Sequence, residues 1–429
     1  MDEQQALRYL RQLQTGGMTM GLERMRRIMA LCGDPHRRLR AVHIAGTNGK
    51  GSTARMIQRV AMAAGYRVGM FSSPAVTGVR ETIDLDGQAV GAADFARWIT
   101  AVRDKQKDMG EAGVCSEFET LTAAAFGWLA EQNPDLCVIE CGLGGAEDAT
   151  NVLPPPLAAV ITPVSLDHTA ILGDTVEAIT RQKCGIFKPP CAVITAPDQS
   201  PQALGVIWEE AAKRGLTVRQ PQSSAAVIRQ REWGLTRFSY GEGDVLLHLT
   251  GDEQVANALT AMETVAALAD KGYAFTPKAV AEGLAAVAMP CRQEVIRRDP
   301  LRVIDGAHNP AGIGALAASL GRFAPGGVTL LLGMLADKDV DACLAILKPH
   351  IRRLIATAPD NPRALSAAEL AEKAAAIGID ALPVDDPVAA WERAEEMAGQ
   401  TPLLIGGSFY LGAVLRPLVK NRWDTPQKA

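Results

Sequence analysis

The sequence predicts an α/β fold: a larger N-terminal domain with a mainly parallel sheet over residues 1–290, and a smaller Rossmann-like α/β domain over residues 291–429. Three observations carry this. Short Val/Ile-rich runs alternate with longer amphipathic segments, the pattern of βαβ units. The runs are apolar without period-two alternation, as expected of strands covered on both faces. Several of them end abruptly in Gly, Ser, Asp or Glu, at the carboxyl ends where such sheets bind ligands.

Taken in order, the spacing predicts a strand over Arg40 to Ala45, a Gly-rich turn from Gly46 to Gly51 and a helix from Ser52 to Ala64. Further strands are expected at Arg67 to Phe71, Asp135 to Cys141, Leu157 to Thr162 and Cys191 to Ala196. From Ala225 to Leu249 polar and apolar residues alternate around Tyr240-Gly241-Glu242-Gly243-Asp244, which reads as antiparallel hairpins at a sheet edge. Helices are expected at Glu253 to Asp270 and Pro277 to Ala286, and Met289 to Arg292 is a candidate hinge. A second alternation then places strands at Leu301 to Asp305, Val328 to Leu332, Arg353 to Thr357 and Pro402 to Gly406.

The bulk numbers exclude several classes. A net charge of -4 gives no electrostatic case for nucleic acid. The cluster Arg37, Arg38 and Arg40 reads as a solvated strand entry. No stretch approaches the ~18 to 20 apolar residues of a membrane helix, and the acidic start Met1-Asp2-Glu3 does not resemble a secretory signal, so a cytoplasmic location is expected. Eight cysteines over 429 residues are too dispersed for a disulfide framework. Cys137 and Cys141 read as small buried hydrophobes.

The strongest motif is Gly46-Thr47-Asn48-Gly49-Lys50-Gly51-Ser52-Thr53, set between a strand and a helix. Glycines let backbone N–H groups converge on phosphate oxygens, the helix N-terminus adds donors, and Lys50 adds a charge. The general P-loop pattern has Gly where this chain has Ile44, and Ser or Thr where it has Gly51; the loop is a variant. Phosphoryl transfer uses magnesium, which prefers hydroxyl and carboxylate oxygens. Ser52 and Ser73 offer hydroxyls, and Glu140 is a carboxylate closing an apolar strand, costly there unless paired or metal-bound. As a capping acid Glu140 would be unremarkable. His168, in Ser165-Leu166-Asp167-His168-Thr169, and Lys183, within a helix, are on their own a loop histidine and a helix lysine. Asp305 and His308 stand in Asp305-Gly306-Ala307-His308-Asn309-Pro310 at another strand end, where an Asp can bond a ribose or adenine group and a His can orient a phosphate or carboxylate.

Together these segments resemble the folylpolyglutamate synthase and dihydrofolate synthase family, within the wider group of ATP-dependent amide ligases that includes the Mur ligases. The resemblance spans nearly the whole chain. It rests on Gly46 to Thr53, Ser116 to Thr122, Glu140 to Asn151, Asp167 to Pro189, Asn257, Arg292, Asp305 to Pro310, Gly333 to Asp339, Pro359 to Leu365 and Gly407 to Tyr410.

What the resemblance implies is carried over by position. ATP phosphates would sit on Thr47, Asn48, Gly49, Lys50, Gly51, Ser52 and Thr53, with Asn257, Arg292 and Asp305 contacting the nucleotide. Ser52, Ser73 and Glu140 would hold one magnesium ion. Glu140, His168 and a carbamylated Lys183 would hold a second. Lys50, Lys183 and His308 would serve catalysis; Ser73, Phe118, Thr120, Asp148 and His308 would line the sites for a folate or pteroate and for L-glutamate. The implied reaction phosphorylates a substrate carboxylate and passes the acyl group to the amine of glutamate, with domain closure about Met289 to Arg292 excluding water. A monomer is implied.

The chain departs from the family pattern at Ala75, often His; at Ala146-Glu147, commonly Arg-Leu; at Cys291, where many members have Gly; and at Thr82, usually Arg, with Arg80 a candidate substitute. Most of these lie where the pterin or glutamate is expected, so they bear on substrate choice. A Mur-type ligase acting on another acid is the nearest alternative, but only about 40 residues precede the loop, few for the extra domain Mur ligases carry. A nucleotide-dependent switch would explain the loop but neither the Asp-Gly-Ala-His-Asn-Pro turn nor the His168 and Lys183 pair.

Overall fold

The computed structural model describes residues 1–13, 21–110, 113–241 and 243–424. Its contacts divide the chain into two compact units, residues 1–226 with 256–286, and residues 227–255 with 287–429.

The first unit is organised by an eight-stranded sheet: β1 (Ala41–Ala45), β2 (Val68–Phe71), β3 (Ile83–Leu85), β4 (Gln88–Ala89), β5 (Leu136–Glu140), β6 (Ala158–Ile161), β7 (Ala192–Thr195) and β8 (Val218–Arg219), in the order β4-β3-β2-β5-β1-β6-β7-β8. From β2 to β8 every pairing is parallel, and β3 and β4 form an antiparallel edge. Every residue of β1, β2, β5 and β6 is buried, which explains why these strands read as unbroken apolar runs. One face packs on the helices Glu3–Leu13, Ala92–Gln106 and Glu117–Gln132 through Leu10, Phe95, Ile99, Phe126 and Ile139. The last of these helices starts at a capping box, Ser116 with Glu119. On another side Ile161, Ile179, Phe187, Val193 and Ile207 form a second cluster. The helices Lys50–Ala63 and Pro277–Ala285 approach so closely that a Cβ on Gly283 would lie 2.4 Å from the Val60 Cα.

In the second unit, β9 (Ala226–Glu232), which begins at the unit boundary, β10 (Leu235–Tyr240) and β11 (Gly243–Leu247) form a three-stranded sheet of their own. The expectation of hairpins on the edge of a larger sheet is therefore corrected. β10 turns Thr236 and Phe238 inward and leaves Arg237 exposed, so it forms a one-faced layer rather than an extension of a doubly covered sheet. Glu242 of the expected turn lies outside the described residues. The larger sheet contains β12 (Glu294–Arg298), β13 (Leu301–Ile304), β14 (Val328–Leu332), β15 (Ile351–Ala356), β16 (Ala381–Pro383) and β17 (Leu403–Gly406), ordered β12-β13-β17-β14-β15-β16. Only β12 is antiparallel to its neighbour. The chain leaves β13, steps over the place that β17 later fills and continues outward through β14, β15 and β16. This creates a strand-order reversal of the kind that opens a ligand crevice at the carboxyl ends. Among the described residues no helix is long and apolar enough to cross a membrane.

Candidate functional site

In the first unit, the turn after β1 is shaped by two glycines and what they touch. Gly46 has φ 154, and a Cβ there would overlap Thr162 Oγ1 at 1.8 Å; Gly49 has φ 83, and its Cβ would meet Asn257 Oδ1 at 2.3 Å. Only glycine meets both demands. The turn is tied down by Thr47, whose N–H donates to the Pro163 carbonyl (2.9 Å) and whose hydroxyl donates to the Ser165 carbonyl (3.0 Å) while accepting the Ser165 N–H (3.1 Å). The Asn48 N–H also bonds Pro163 (3.3 Å). Thr47 and Asn48 thus spend backbone donors on holding the turn. Those of Lys50, Gly51 and Ser52, in the first turn of a helix capped by Gly49, have no carbonyl four residues back in the helix. They and the helix dipole make the anion site. The Lys50 ammonium lies over the same turn, 3.3 Å from the Thr47 carbonyl. Asn257, 3% exposed, accepts the Thr53 hydroxyl at 3.5 Å.

Glu140 ends β5 beside this turn. It is 3% exposed, accepts the Ser73 N–H at 3.3 Å, and its Oε2 would stand 3.4 Å from a Cβ on Gly51. Ser52, 2% exposed, lies one residue further on. The structure therefore brings Glu140 and the Ser73 backbone to the turn that carries Ser52; carboxylate and hydroxyl oxygens are the donors magnesium prefers. Lys183 reaches the turn from the other side: its ammonium is buried and donates to the Gly46 carbonyl at 2.8 Å. Burial, with Lys50 nearby, lowers its pKa from 10.5 to about 7. His168 is exposed at the start of a four-residue helix, with φ 51 and its Nε2 3.8 Å from Asp167. No cluster of three His, Cys, Asp or Glu side chains among the described residues could hold a metal ion on its own.

Three of the residues expected to line the substrate sites divide differently. The ring of Phe118 lies against Gly142, where a Cβ would fall 2.5 Å from it, and 5.8 Å from the Phe71 ring. Thr120 is fully buried and accepts from Gln106 (3.2 Å). Asp148, 4% exposed, accepts from the N–H groups of Leu143 (2.8 Å) and Thr150 (3.0 Å) and from the Thr150 hydroxyl. Burial raises its carboxyl pKa and these donors oppose that rise. Thr120 is thus bonded between helices, and Asp148 within the framework behind the Gly142 to Gly145 turn.

This framework holds a residue that sequence reasoning passed over. His43 sits in the middle of β1, wholly buried, with Nε2 2.8 Å from Thr150 Oγ1 and 3.1 Å from Cys141 Sγ. The Thr150 hydroxyl donates to Asp148, so it accepts from His43, which is therefore the neutral Nε2–H tautomer; burial lowers its pKa to about 3. The signal was a histidine inside an apolar strand.

In the second unit, β13 is followed directly by Asp305, 6% exposed, whose carboxylate accepts the N–H of Gln293 (2.8 Å) and of Ala307 (2.8 Å). Burial raises its pKa, opposed by the Ala307 N–H and the Arg292 charge. The His308 Nδ1–H donates to the Gly306 carbonyl (2.8 Å), which fixes the orientation of the ring. The Phe409 ring lies 5.8 Å from His308 and 4.1 Å beneath the Arg292 guanidinium. Gly306 admits it, since a Cβ there would come within 2.2 Å. Cys291, at the position where many family members have glycine, has φ 54.

Residues 44–265 match the Mur ligase middle domain family, and residues 291–409 match the Mur ligase glutamate ligase domain family. The dihydrofolate synthase/folylpolyglutamate synthase of Mycobacterium tuberculosis is 34% identical to this chain, over 92% of it and 89% of the relative. The folylpolyglutamate synthase of Lacticaseibacillus casei is also 34% identical, over 91% and 93%. Among solved structures, the Mycobacterium tuberculosis folylpolyglutamate synthase complexed with ADP and AMPPCP superposes with a TM-score of 0.87 at 31% identity, covering 97% of this chain and 99% of that one. Escherichia coli FolC in complex with DHPP and ADP gives 0.85 at 28% identity, covering 98% of each.

Proposed function

The chain belongs to the folylpolyglutamate synthase and dihydrofolate synthase family of ATP-dependent ligases, and from that premise we propose that it adds L-glutamate to a folate, and to dihydropteroate as a second acceptor, in the cytoplasm and as a monomer. The observation that carries the reading is the convergence on one turn of helix N–H donors, Lys50, the Glu140 carboxylate and the buried Lys183 amine.

In this reading the first-turn N–H groups and Lys50 hold the phosphates and balance charge spread over the transferring phosphoryl group. Ser52, Ser73 and Glu140 would hold one magnesium ion, and Glu140, His168 and Lys183 a second. Magnesium, when bound, supplies Lewis-acid stabilisation of phosphoryl oxygens. Lys183 serves as a carbamate: its neutral amine, accessible near pH 7 because burial depresses its pKa, attacks carbon dioxide, an N–C bond forms and one proton leaves. A buried cation becomes an anion suited to hard divalent ions. Residues 1–290 form the ATP-binding portion and residues 291–429 the glutamate ligase portion. Asn257, Arg292 and Asp305 contact the nucleotide; Ser73 and His308 seat glutamate; Phe118 faces the pterin. Thr120 and Asp148 act at one remove, Thr120 bonded between helices and Asp148 within the framework. A substrate carboxylate oxygen takes the γ-phosphoryl with loss of ADP. The glutamate amine then attacks the acyl carbon, loses a proton and expels phosphate.

The test is phosphate release from ATP and magnesium with and without L-glutamate, offering dihydropteroate, dihydrofolate and tetrahydrofolate in parallel and reading products by mass. Glutamate-dependent release with a product heavier by one glutamyl unit is expected. Turnover indifferent to glutamate would overturn the ligase assignment, and turnover restored only by another acid would move the substrate away from folates.

A further inference from the structure

Arg292 lies between two non-glycine residues in the left-handed region, Cys291 at φ 54 and Gln293 at φ 46. Such a conformation persists where surrounding bonds over-determine it. Cys291 is held through both backbone groups: its N–H donates to Glu294 (3.0 Å), itself clamped by Arg416, and its carbonyl accepts the Gly306 N–H (2.7 Å). Gln293 is held by its N–H on Asp305 and by its side chain, whose Nε2 donates to Glu253 Oε1 at 3.0 Å.

That side chain raises an accounting problem. Gln293 is 4% exposed and its Oε1 is buried with no donor. A buried amide oxygen left unpaired is costly. The partner already bonded to the other end of the same amide is a carboxyl group. An ionised carboxylate has no hydrogen to give, whereas a protonated one has a single O–H. The surroundings favour the proton. Asp305 and Asp252 face Glu253 with like charge; Arg231 is engaged with Asp252 at 2.8 Å, and Arg292 faces Asp305. The carboxyl folds over Gly251, where a Cβ would come within 2.1 Å of it.

We propose that Glu253 is a protonated acid forming a reciprocal acid–amide pair with Gln293, and that the pair is a positioning device for Arg292 and Asp305. Glu253 Oε1 accepts from Gln293 Nε2, and the Glu253 O–H donates to Gln293 Oε1. The pair fixes the left-handed residue that follows Arg292, and it keeps a second negative charge away from Asp305. Burial and those two aspartates raise the Glu253 pKa from 4.5 to about 7, so the proton leaves over the range in which most assays are run. Its loss removes one hydrogen bond, frees the Gln293 amide to turn and puts an anion beside Asp305. The inference rests on the nucleotide reading of Arg292 and Asp305 given above.

The experiment uses the full chain and two readouts. Infrared difference spectra between pH 6 and pH 8.5 report the protonated carboxyl directly, whether or not the chain binds nucleotide; calorimetric ADP titrations over the same range report the consequence. The parent should show a carboxylic-acid band that is lost at pH 8.5 and missing in E253Q. Its ADP affinity should fall roughly threefold to tenfold across the range, the worth of one hydrogen bond. E253Q, whose amide reproduces the O–H donor at every pH, should keep the low-pH affinity throughout. Q293L should bind weakly at every pH. A parent spectrum without the acid band at pH 6 overturns the pair. An acid band with a flat ADP affinity in parent and E253Q alike overturns the positioning role. Absence of ADP binding with the band present defeats the nucleotide reading of Arg292 and Asp305, and the positioning role with it, leaving the pair standing.

Discussion

Two strand-to-helix turns, one in each unit, solve related problems by different means. The turn after β1 is built from glycines, with Gly46 and Gly49 at φ 154 and 83, and leads into a fourteen-residue helix at Lys50. The turn after β13 leads into a helix of the same length at Pro310, but is built from side chains: Asp305 accepts two N–H groups, His308 bonds the Gly306 carbonyl, and Asn309 caps the helix. The first bares backbone donors and so suits an anion. The second spends backbone donors on a carboxylate and presents side chains. Beside each stands a buried ionisable group moved towards pH 7 from opposite directions, Lys183 down from 10.5 and Glu253 up from 4.5. The difference teaches that either kind of turn can be legible as a motif, while the group that tunes it comes from far away in sequence, as Lys183 does for Gly46 and Glu253 for Gln293.

The sharpest way to break the comparison is at Lys183. If its role is chemical, K183A should lower turnover roughly a hundredfold to a thousandfold, the usual cost of losing a group that stabilises developing charge, while the ATP dissociation constant moves little. Single-turnover phosphate release alongside equilibrium binding separates the two. Equal losses in both would make Lys183 a support for the Gly46 carbonyl and nothing more. Next in size is G46A. Its Cβ would overlap Thr162 Oγ1, and the φ of 154 is itself unfavourable for alanine, so a loss of about 3 kcal/mol or more is expected from overpacking and strain together. Denaturant unfolding of G46A and of G46A with T162A tests the split: relieving the contact should restore only part of the loss. Full restoration would show that the left-handed backbone costs nothing there.

Much of the architecture was legible because strands covered on both faces read as apolar runs. The strands expected at Val328 to Leu332 and Pro402 to Gly406 are found at Val328–Leu332 and Leu403–Gly406, and the helix expected from Ser52 to Ala64 at Lys50–Ala63. The short β3 and β4 edge was invisible, since Ile83–Leu85 and Gln88–Ala89 are too brief for any period to show. The two turns were visible as motifs, but their tuning was not. His43 meets Thr150 across 107 positions, and Glu253 meets Gln293 across 40; no local pattern encodes such a meeting. Asp148 illustrates the converse, a motif acid whose bonds run inward to the backbone of its own turn.

A smaller effect is expected at Asp305. In D305N one amide oxygen replaces two carboxylate oxygens that accept from Gln293 and Ala307, so one N–H loses its acceptor and the charge facing Arg292 disappears. ADP binding should weaken about tenfold, close to the worth of one charge-assisted hydrogen bond, with the fold retained; an unchanged affinity would remove Asp305 from the nucleotide contacts.

The smallest effects lie in the pH dependence of stability, where the two turns should pull in opposite directions. Glu253 has a folded pKa above its ordinary value, so its contribution is fully present below pH 4.5 and is lost as pH rises through about 7. Lys183 has a folded pKa below its ordinary value, so its contribution is present above pH 10.5 and is lost as pH falls through about 7. Together they place a shallow minimum near neutrality, each side worth of the order of 1 kcal/mol or more. Thermal unfolding without metal or bicarbonate resolves the two sides. E253Q should gain on the parent as pH rises from 5 to 7.5 and then stay level. K183M should gain most below pH 7, where the parent holds a buried ammonium, and should lose that advantage towards pH 10, where only the missing bond to the Gly46 carbonyl remains. A K183M difference that does not vary with pH would mean that the amine titrates as an exposed lysine does. The first turn would then be an anion site beside an ordinary cation, without the neutral amine that carbamylation requires.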